Sequence, residues 1–428
     1  MIIVALIVIV CLSFIVIAHT YNGTYKNHYT MFNVWWGSLV LISYLNLSPL
    51  NQPSLYTYII ILLGTIGFNI SVFTSKVKMS NIKVELGGFR INVTLLVIFQ
   101  LIAIFFIFPY FTVGLAADDP ASVKATLLDT FTGNPIEVIK IYWFSEPVII
   151  TSIILSGFLF YFERGAAVWL VLILTIINVL VFSVAFGGRI EMFRMCFILL
   201  TFSYLKGFVL ADKELVKKRI KFSFLFIVAF IIIMTLVTQK RSFDNDVSFY
   251  KTFNIYFIGS FSLFDNFLNN PHISMIGRDL LFGRATFASF IDPFLLFGSK
   301  VLHINDLTTK DMGVNIINDV QEKFYSVGKE GYQMNAFATM YYPFIRDYGM
   351  IGVLAIPFLL GYILNKLVYL LFKFNSLYIF LIYVLLCYIM IFASNRWEFV
   401  NFWPFGAIAY LYILTNKSRS NVYLDSNI

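Results

Sequence analysis

Charged residues are scarce in this chain of 428 residues. They make up 13% of the sequence, roughly half the share found in soluble domains, whereas hydrophobic residues make up 59% and the mean hydropathy is +0.82. The length alone would suggest two or three soluble domains. The composition excludes them, because a water-soluble core of this composition would leave a large apolar surface exposed. We therefore predict an all-α, polytopic integral membrane protein.

Cysteine and histidine are also rare, with three and four copies. Cys11, Cys196 and Cys387 lie inside apolar runs, so we expect small core residues rather than disulfide partners or metal ligands. The sequence has no P-loop, GxGxxG, HExxH, CxxC or GxSxG element in a suitable setting, which argues against ATP hydrolysis, nicotinamide chemistry and zinc catalysis. We predict no cofactor and no metal site. The net charge of +8 could suggest nucleic acid, but in a membrane protein such an excess usually marks cytoplasmic loops.

Apolar runs of about 17–25 residues predict membrane helices. The first run lies where a signal peptide would, but it lacks a basic start and a small-residue cleavage site, so we predict that it stays as a helix. Eleven runs qualify: 2–18, 31–49, 56–73, 91–115, 147–162, 166–186, 191–210, 222–238, 349–372, 376–393 and 399–415.

The charges of the connections predict the orientation. Segments 74–90 and 206–221 are strongly basic, which places both in the cytoplasm. With eleven spans the N-terminus then lies outside and the C-terminus inside. The cytoplasmic segments hold 16 Lys and Arg against 5 Asp and Glu, a net of +11, and the outer segments hold 15 against 18, a net of −3. If the first run does not cross, the N-terminus lies inside, but the loops after residue 74 keep their sides.

Two long segments face outward in this topology, 116–146 and 239–348. The second spans 110 residues and is rich in Phe, Leu and Ile, so we expect short amphipathic helices that lie on the outer face of the bundle or dip into it. The chain thus divides into helices 1–8 with 116–146 (residues 1–238), the large loop (239–348), and helices 9–11 with a cytoplasmic tail (349–428).

Four outward motifs are candidates for chemistry. The first, Gly187 to Arg194, has Arg189 just outside the membrane and Arg194 inside the start of a span. An Arg inside a membrane span costs free energy, so it suggests a functional site, and its guanidinium fork is suited to phosphate. The alternatives are that the Arg194 side chain snorkels to lipid headgroups or that it forms an ion pair with Glu191. The others are Arg278 to Arg284, Tyr341 to Gly352, and Asn395 to Glu398; the last is best explained as a short polar turn.

In order and placement these motifs resemble the Wzy-type O-antigen and oligosaccharide repeat-unit polymerases. The resemblance rests on Gly187-Gly188-Arg189 opening a helix, on the aromatic stretch 256–264, on Phe282-Gly283-Arg284-Ala285-Thr286-Phe287, and on Asn335 to Gly352 leading into a helix. Together with the number of spans and the position of the large loop, it covers nearly the whole chain.

The resemblance implies a metal-independent, GT-C-like glycosyltransferase of the bacterial inner membrane, with its active site facing the periplasm. Its donor and acceptor would be repeat units linked to undecaprenyl pyrophosphate, with membrane lipids, a chain-length regulator and a flippase as further partners, and no nucleic acid. The pyrophosphate would be neutralised by Arg189, Arg194, Arg278 and Arg284. The general base would be His272, Asp347 or Asp279, and sugars would stack on Tyr341, Tyr342 and Trp397.

Three alternatives stay open from the sequence. One is a non-catalytic membrane scaffold, which would need no paired interfacial Arg. The related O-antigen ligases carry a His about eleven residues before a Gly in their large loop, and His272 and Gly283 have that separation. Ile273, however, stands where the ligase pattern wants a polar residue. A lipid-linked oligosaccharide flippase or another transporter would also be polytopic, but it would be expected to carry charges within its spans and short outer loops.

Overall fold

The apolar runs of the sequence form helices. A computed structural model of the chain describes residues 2–45, 50–85, 91–116, 135–186, 188, 190–241, 254–269, 280–300, 313, 325–328, 333–334 and 338–415. We label its longer helices α1 (Ile2–Asn22), α2 (His28–Tyr44), α3 (Leu55–Ile70), α4 (Val93–Ala116), α5 (Glu146–Phe162), α6 (Ala166–Ala185), α7 (Ile190–Leu205), α8 (Lys213–Arg241), α9 (Gly259–Asn269), α10 (Ala288–Lys300), α11 (Tyr341–Phe374), α12 (Leu377–Phe392) and α13 (Trp403–Leu414).

Each of the eleven predicted spans coincides with one helix, namely α1–α8 and α11–α13. Within the part of the chain that the structure describes, six helical segments are long and apolar enough to cross a membrane: Ile2–Asn22, Leu55–Thr74, Val93–Ala116, Ile139–Phe162, Ala166–Ala185 and Tyr341–Phe374. By that length and composition the chain is an all-α membrane protein, whereas the count of eleven spans and the GT-C fold stay predictions.

Several helix boundaries differ from the predicted spans, because hydropathy shows which residues are apolar and does not show where a helix begins. α8 begins at Lys213 rather than at 222, since its basic first turns are helical as well. α13 begins at Trp403 rather than at 399, after a short 3₁₀ turn at Glu398–Val400. α11 begins at Tyr341 and is broken at Gly349, whose φ of 60° and ψ of −150° lie outside helical space.

Helices α5 and α12 form the centre of the bundle. Every residue of α5 is buried, and α12 is buried along nearly all of its length. A helix that is apolar on all sides must be surrounded by others, and α5 packs against α4, α6, α7, α8, α12 and α13. The outer helices leave large apolar side chains exposed, for example Phe105 on α4, as expected where lipid replaces water. The three cysteines are free and buried, which confirms the prediction for them.

The connections fall into two groups, which we name by their composition. The basic end comprises the described connections 71–85, 163–165, 206–212 and 375–376. There β1 (Val84–Glu85) pairs in parallel with β2 (Val209–Leu210), and the Lys83 ammonium donates to the carbonyl of Gly207 at 2.7 Å. The two segments predicted to lie on the same side of the membrane therefore do lie side by side.

The loop end lies opposite and comprises the described connections 50–54 and 393–402 and the described parts of the large loop, namely 254–269, 280–300, 313, 325–328, 333–334 and 338–340. Within the described part of the large loop, α9 does not rest on the surface but dips into the bundle, where Phe261, Phe264 and Phe267 are buried. Asp265 on α9 accepts hydrogen bonds from the Ser54 amide and the Thr57 hydroxyl, which ties the loop to α3. A small hairpin of β3 (Tyr325–Ser326) and β4 (Gln333–Met334) lies nearby, bridged to Leu50 through Gly328.

Glycines bring α3 and α11 together. A Cβ added at Gly67 would overlap the backbone carbonyl of Leu354, and one added at Gly361 would overlap the Ser71 side chain. Gly352 is also closely approached, but by α11 itself: the carbonyl of Phe344 and the Tyr348 side chain, both before the break at Gly349, lie against it.

We expect Gly67→Ala to destabilise the protein, because the new methyl group meets backbone that can move only if the whole α3–α11 contact opens. Overpacking of this kind costs about 1–3 kcal/mol, which exceeds the gain in helix propensity. Thermal unfolding in detergent measures the effect. Gly207→Ala is the matched control, since nothing lies within 4 Å of its added Cβ. Equal midpoints for the two variants would contradict the close packing.

Candidate functional site

The predicted site residues that the structure describes all lie at the loop end: Arg194, Arg284, Tyr341, Tyr342, Asp347 and Trp397. Arg189, His272, Arg278 and Asp279 lie outside the described residues, and their roles stay predictions. The described residues form two clusters, one around Arg194 and one around Asp347, joined by the segment that carries Trp397.

Arg194 lies one turn into α7 and its side chain is 0% exposed. One terminal nitrogen, Nη1, donates to Glu191 at 2.6 Å and to Glu146 at 3.0 Å. The other, Nη2, donates to Glu398 at 2.9 Å. A guanidinium fork thus holds three carboxylates from three separate parts of the chain, which is the geometry for which Arg is suited.

Glu398 is the most heavily bonded of these carboxylates. Besides Arg194 it accepts hydrogen bonds from Arg396 at 3.2 Å, from the Trp403 indole at 3.1 Å and from the Tyr388 hydroxyl at 3.2 Å. Burial would raise the pKa of this carboxyl group, but Arg194 and Arg396 more than offset that effect, and its pKa lies below its ordinary value. Glu398 is therefore an anion at neutral pH.

The local sequence explains how the interior tolerates this charge. Glu191 stands in the first turn of α7, where the helix dipole favours a carboxylate. Glu146 lies inside a helical segment that is continuous from Pro135 to Phe162. The Arg194 guanidinium also lies over the Trp403 ring, 4.8 Å from its centroid, at the first turn of α13. The guanidinium groups of Arg194 and Arg396 lie among the three acidic side chains, so each guanidinium has an acidic partner beside it.

The Arg194 cluster revises two interpretations from the sequence. The alternative for Arg194, an ion pair with Glu191, is present, and Glu146 and Glu398 were missed as further partners. Asn395 to Glu398 does lie in a short polar connection between two helices, but the sequence did not reveal that Asn395 and Glu398 are fully buried and that Glu398 binds Arg194. The sequence feature that could have revealed Glu146 and Glu398 is that each is a lone acidic residue beside an otherwise apolar helix.

Asp347 anchors a turn at residues 280–287. Its carboxylate accepts hydrogen bonds from the amides of Ala285, at 3.1 Å, and of Thr286. The break at Gly349 ends the first part of α11, and the carbonyls of Arg346 and Asp347 accept from the amides of Leu281 and Phe282 at 3.1 and 3.2 Å. The turn therefore completes a helix end that would otherwise leave backbone acceptors unpaired.

The turn has an unusual backbone. Gly283 has a φ of 94°, and a Cβ there would come within 2.5 Å of the Tyr348 hydroxyl. Phe282 has a φ of 49°, which is rare for a bulky residue and is held here by the hydrogen bonds to the end of the first part of α11. Arg284 follows at once and is exposed. The geometry thus presents Arg284 from a fixed loop.

Trp397 connects the turn to the Arg194 cluster. Its indole donates to the carbonyl of Thr286 at 2.7 Å, and its ring packs edge-on against Phe344 at 5.0 Å. Tyr341, Tyr342 and Trp397 are all buried, so a sugar could stack on them only if the protein opened at this point. Their predicted role in sugar binding stays a prediction.

The site offers cations in a rigid frame. Among the described residues, no group of three or more His, Cys, Asp or Glu side chains is placed to hold a metal ion. Arg284 is exposed, Arg396 is partly exposed and donates to Glu398, and Arg194 is enclosed by its carboxylates. No family model, curated protein or solved structure gave a significant match to this chain.

Proposed function

We propose that the chain is a surface-polysaccharide polymerase, a glycosyltransferase that joins lipid-linked oligosaccharide repeat units at the outer face of a bacterial inner membrane. An acceptor hydroxyl attacks the anomeric carbon of a donor glycan carried on undecaprenyl pyrophosphate. The bond from that carbon to the pyrophosphate oxygen breaks, the lipid pyrophosphate leaves with the electron pair, and the hydroxyl proton passes to a base. Candidate bases are His272, Asp279 and Asp347.

The observation that carries the proposal is the exposed Arg284 on a turn fixed by Asp347 at the loop end. Charge that develops on a leaving pyrophosphate is stabilised best by cations already held in place, because they need not reorganise during the reaction. In the sequence, Arg278 belongs to the same large loop, and Arg189 comes five residues before Arg194. In this proposal Arg189, Arg278 and Arg284 meet the pyrophosphate.

In the proposal, Arg194 has a structural role and does not bind the pyrophosphate. Its guanidinium is enclosed by Glu146, Glu191 and Glu398, so its charge is already neutralised. It joins the starts of α5 and α7 to the segment that carries Arg396 and Trp397. We propose that Arg194 keeps the frame of the site fixed while the other arginines bind the lipid.

We expect Arg189→Ala to abolish long polymer while the protein still inserts in the membrane. Loss of one preorganised charge costs about 10²–10³-fold in rate. The measurement is glycan length in cells that depend on the variant, with membrane content of the protein followed in parallel.

Two further variants make the Arg189 test specific. Lys78→Ala removes an exposed cation at the basic end and is expected to leave glycan length unchanged. Arg189→Lys keeps the charge without the fork and is expected to give shorter polymer. Full-length polymer from a stably inserted Arg189→Ala protein would remove Arg189 from the site.

A further inference from the structure

The turn at residues 280–287 exposes an apolar side chain, Phe282, near the cation Arg284. Phe282 is 76% exposed and precedes Arg284 by two residues, and Leu280 is exposed as well. A large aromatic side chain on a left-handed backbone costs free energy that an ordinary lipid-facing residue does not require. Five hydrogen bonds nevertheless hold the turn: Leu281 to the carbonyl of Arg346, Phe282 to the carbonyl of Asp347, Arg284 to the carbonyl of Leu281, and Ala285 and Thr286 to the carboxylate of Asp347.

The exposed apolar surface continues from the turn onto the helices. Leu280 reaches to 4.0 Å from the position of a Cβ on Gly349, and Ile351, two residues further along α11, is 77% exposed. The Tyr56 hydroxyl contacts the Met350 sulfur at 3.8 Å, which brings the start of α3 to the same place. We call these residues the apolar patch: Leu55, Tyr56, Leu280, Phe282, Met350 and Ile351.

We infer that the apolar patch and Arg284 form the binding site for the lipid part of the substrate. The polyprenyl chain lies along the patch with Phe282 as its fixed contact, and the pyrophosphate at the end of that chain meets Arg284. A cation at the edge of an apolar surface complements a molecule with one anionic head and one long hydrocarbon chain. The inference rests on the proposed function, which supplies a lipid of this class.

Asp347 is the positioning residue of this lipid site. It does not reach the lipid, because its carboxylate is buried beneath the turn and bonded to two backbone amides. It sets the direction in which Phe282 and Arg284 project. Gly283 lies between Phe282 and Arg284 and has a left-handed backbone, which turns the chain between these two residues. This is a physical role for the glycine of the motif that resembles the polymerases.

The test measures binding of three probes to the full-length protein in detergent by native mass spectrometry. The probes are undecaprenyl pyrophosphate, inorganic pyrophosphate and phosphatidylglycerol. We expect Phe282→Ala to weaken binding of undecaprenyl pyrophosphate by about tenfold or more, the effect of losing one aromatic contact with a hydrocarbon chain, and to leave inorganic pyrophosphate unaffected. Arg284→Ala is expected to weaken both pyrophosphate probes.

Two controls separate a specific site from a general lipid surface. Phe105→Ala removes an equally exposed ring, 74% exposed, from α4 and is expected to change none of the affinities. Phe282→Gly removes the ring but suits the left-handed backbone, so it is expected to bind as weakly as Phe282→Ala while it keeps the thermal stability of the parent protein.

Wild-type affinity for undecaprenyl pyrophosphate in Phe282→Ala would overturn the inference. Binding of phosphatidylglycerol that is equally tight and equally dependent on Phe282 would overturn it as well. If glycan lengthening is intact in that variant, the lipid site fails and the proposed function stands. If the lipid binds with the expected dependence but no glycan is ever lengthened, the lipid site stands and the proposed function fails.

Discussion

Arg194→Ala is expected to prevent accumulation of folded protein. The substitution leaves Glu146, Glu191 and Glu398 buried together without the guanidinium that joins them. Removing one partner of a buried ion pair costs about 3–5 kcal/mol, and here one residue serves three partners. A loss of this size is a large fraction of the ~5–15 kcal/mol that keeps a typical protein folded. Detergent-extracted protein, followed by size-exclusion chromatography and thermal unfolding, measures it.

Arg164→Ala is the matched control for Arg194→Ala. Arg164 also forms an ion pair, with Asp212 at the basic end, but the two side chains are 70% and 42% exposed. An exposed pair contributes little to stability, because water solvates both charges after the pair is broken. We therefore expect Arg164→Ala to fold normally. If the two variants are equally stable, the Arg194 cluster does not hold the helices together.

Asp347→Ala is expected to abolish the proposed glycan lengthening by releasing the turn that presents Arg284. The amides of Ala285 and Thr286 lose their acceptor in the interior, at about 1–3 kcal/mol for each unpaired group. A displacement of about 1 Å in a group that orients the substrate can lower the rate roughly 100-fold. We expect a loss of that size in the rate of glycan lengthening and a parallel loss of undecaprenyl pyrophosphate binding.

Asp347→Asn separates anchoring from catalysis. The amide keeps one carbonyl oxygen that can accept from the turn, but it cannot take up a proton as a general base. If Asp347 acts as an anchor, the Asn variant keeps most of its kcat and shows a raised KM. If Asp347 is the base, the Asn variant binds undecaprenyl pyrophosphate normally and is as inactive as the Ala variant. The second result would contradict the anchoring role.

The helices were predictable because apolar runs of this length have few other stable states. Each predicted span overlaps a helix, and the described parts of the two basic connections pair through Val84–Glu85 and Val209–Leu210. The break at Gly349 was not predicted, although the expected start of that span fell at the same residue. Hydropathy marks where an apolar stretch begins, but it does not reveal that the polar residues before it are also helical.

The site was predictable only where its partners are close in sequence. Glu191 lies three residues before Arg194, and the sequence alone suggests that pair as an alternative. Glu146 and Glu398 come from 48 and 204 residues away, and the turn that Asp347 binds lies about 60 residues before it. Such pairings depend on how the helices are arranged around α5, and the sequence of one chain does not encode that arrangement in any local pattern.

The most direct test of the proposed function is turnover by the purified protein in liposomes that contain undecaprenyl pyrophosphate-linked repeat units. The assay contains no nucleotide and an excess of chelator, and the products are separated by length. We predict a ladder of glycans that grow by whole repeat units while free undecaprenyl pyrophosphate accumulates. Movement of the lipid-linked unit across the bilayer without lengthening, transfer of the glycan to a different acceptor, or no turnover at all would contradict the proposed function.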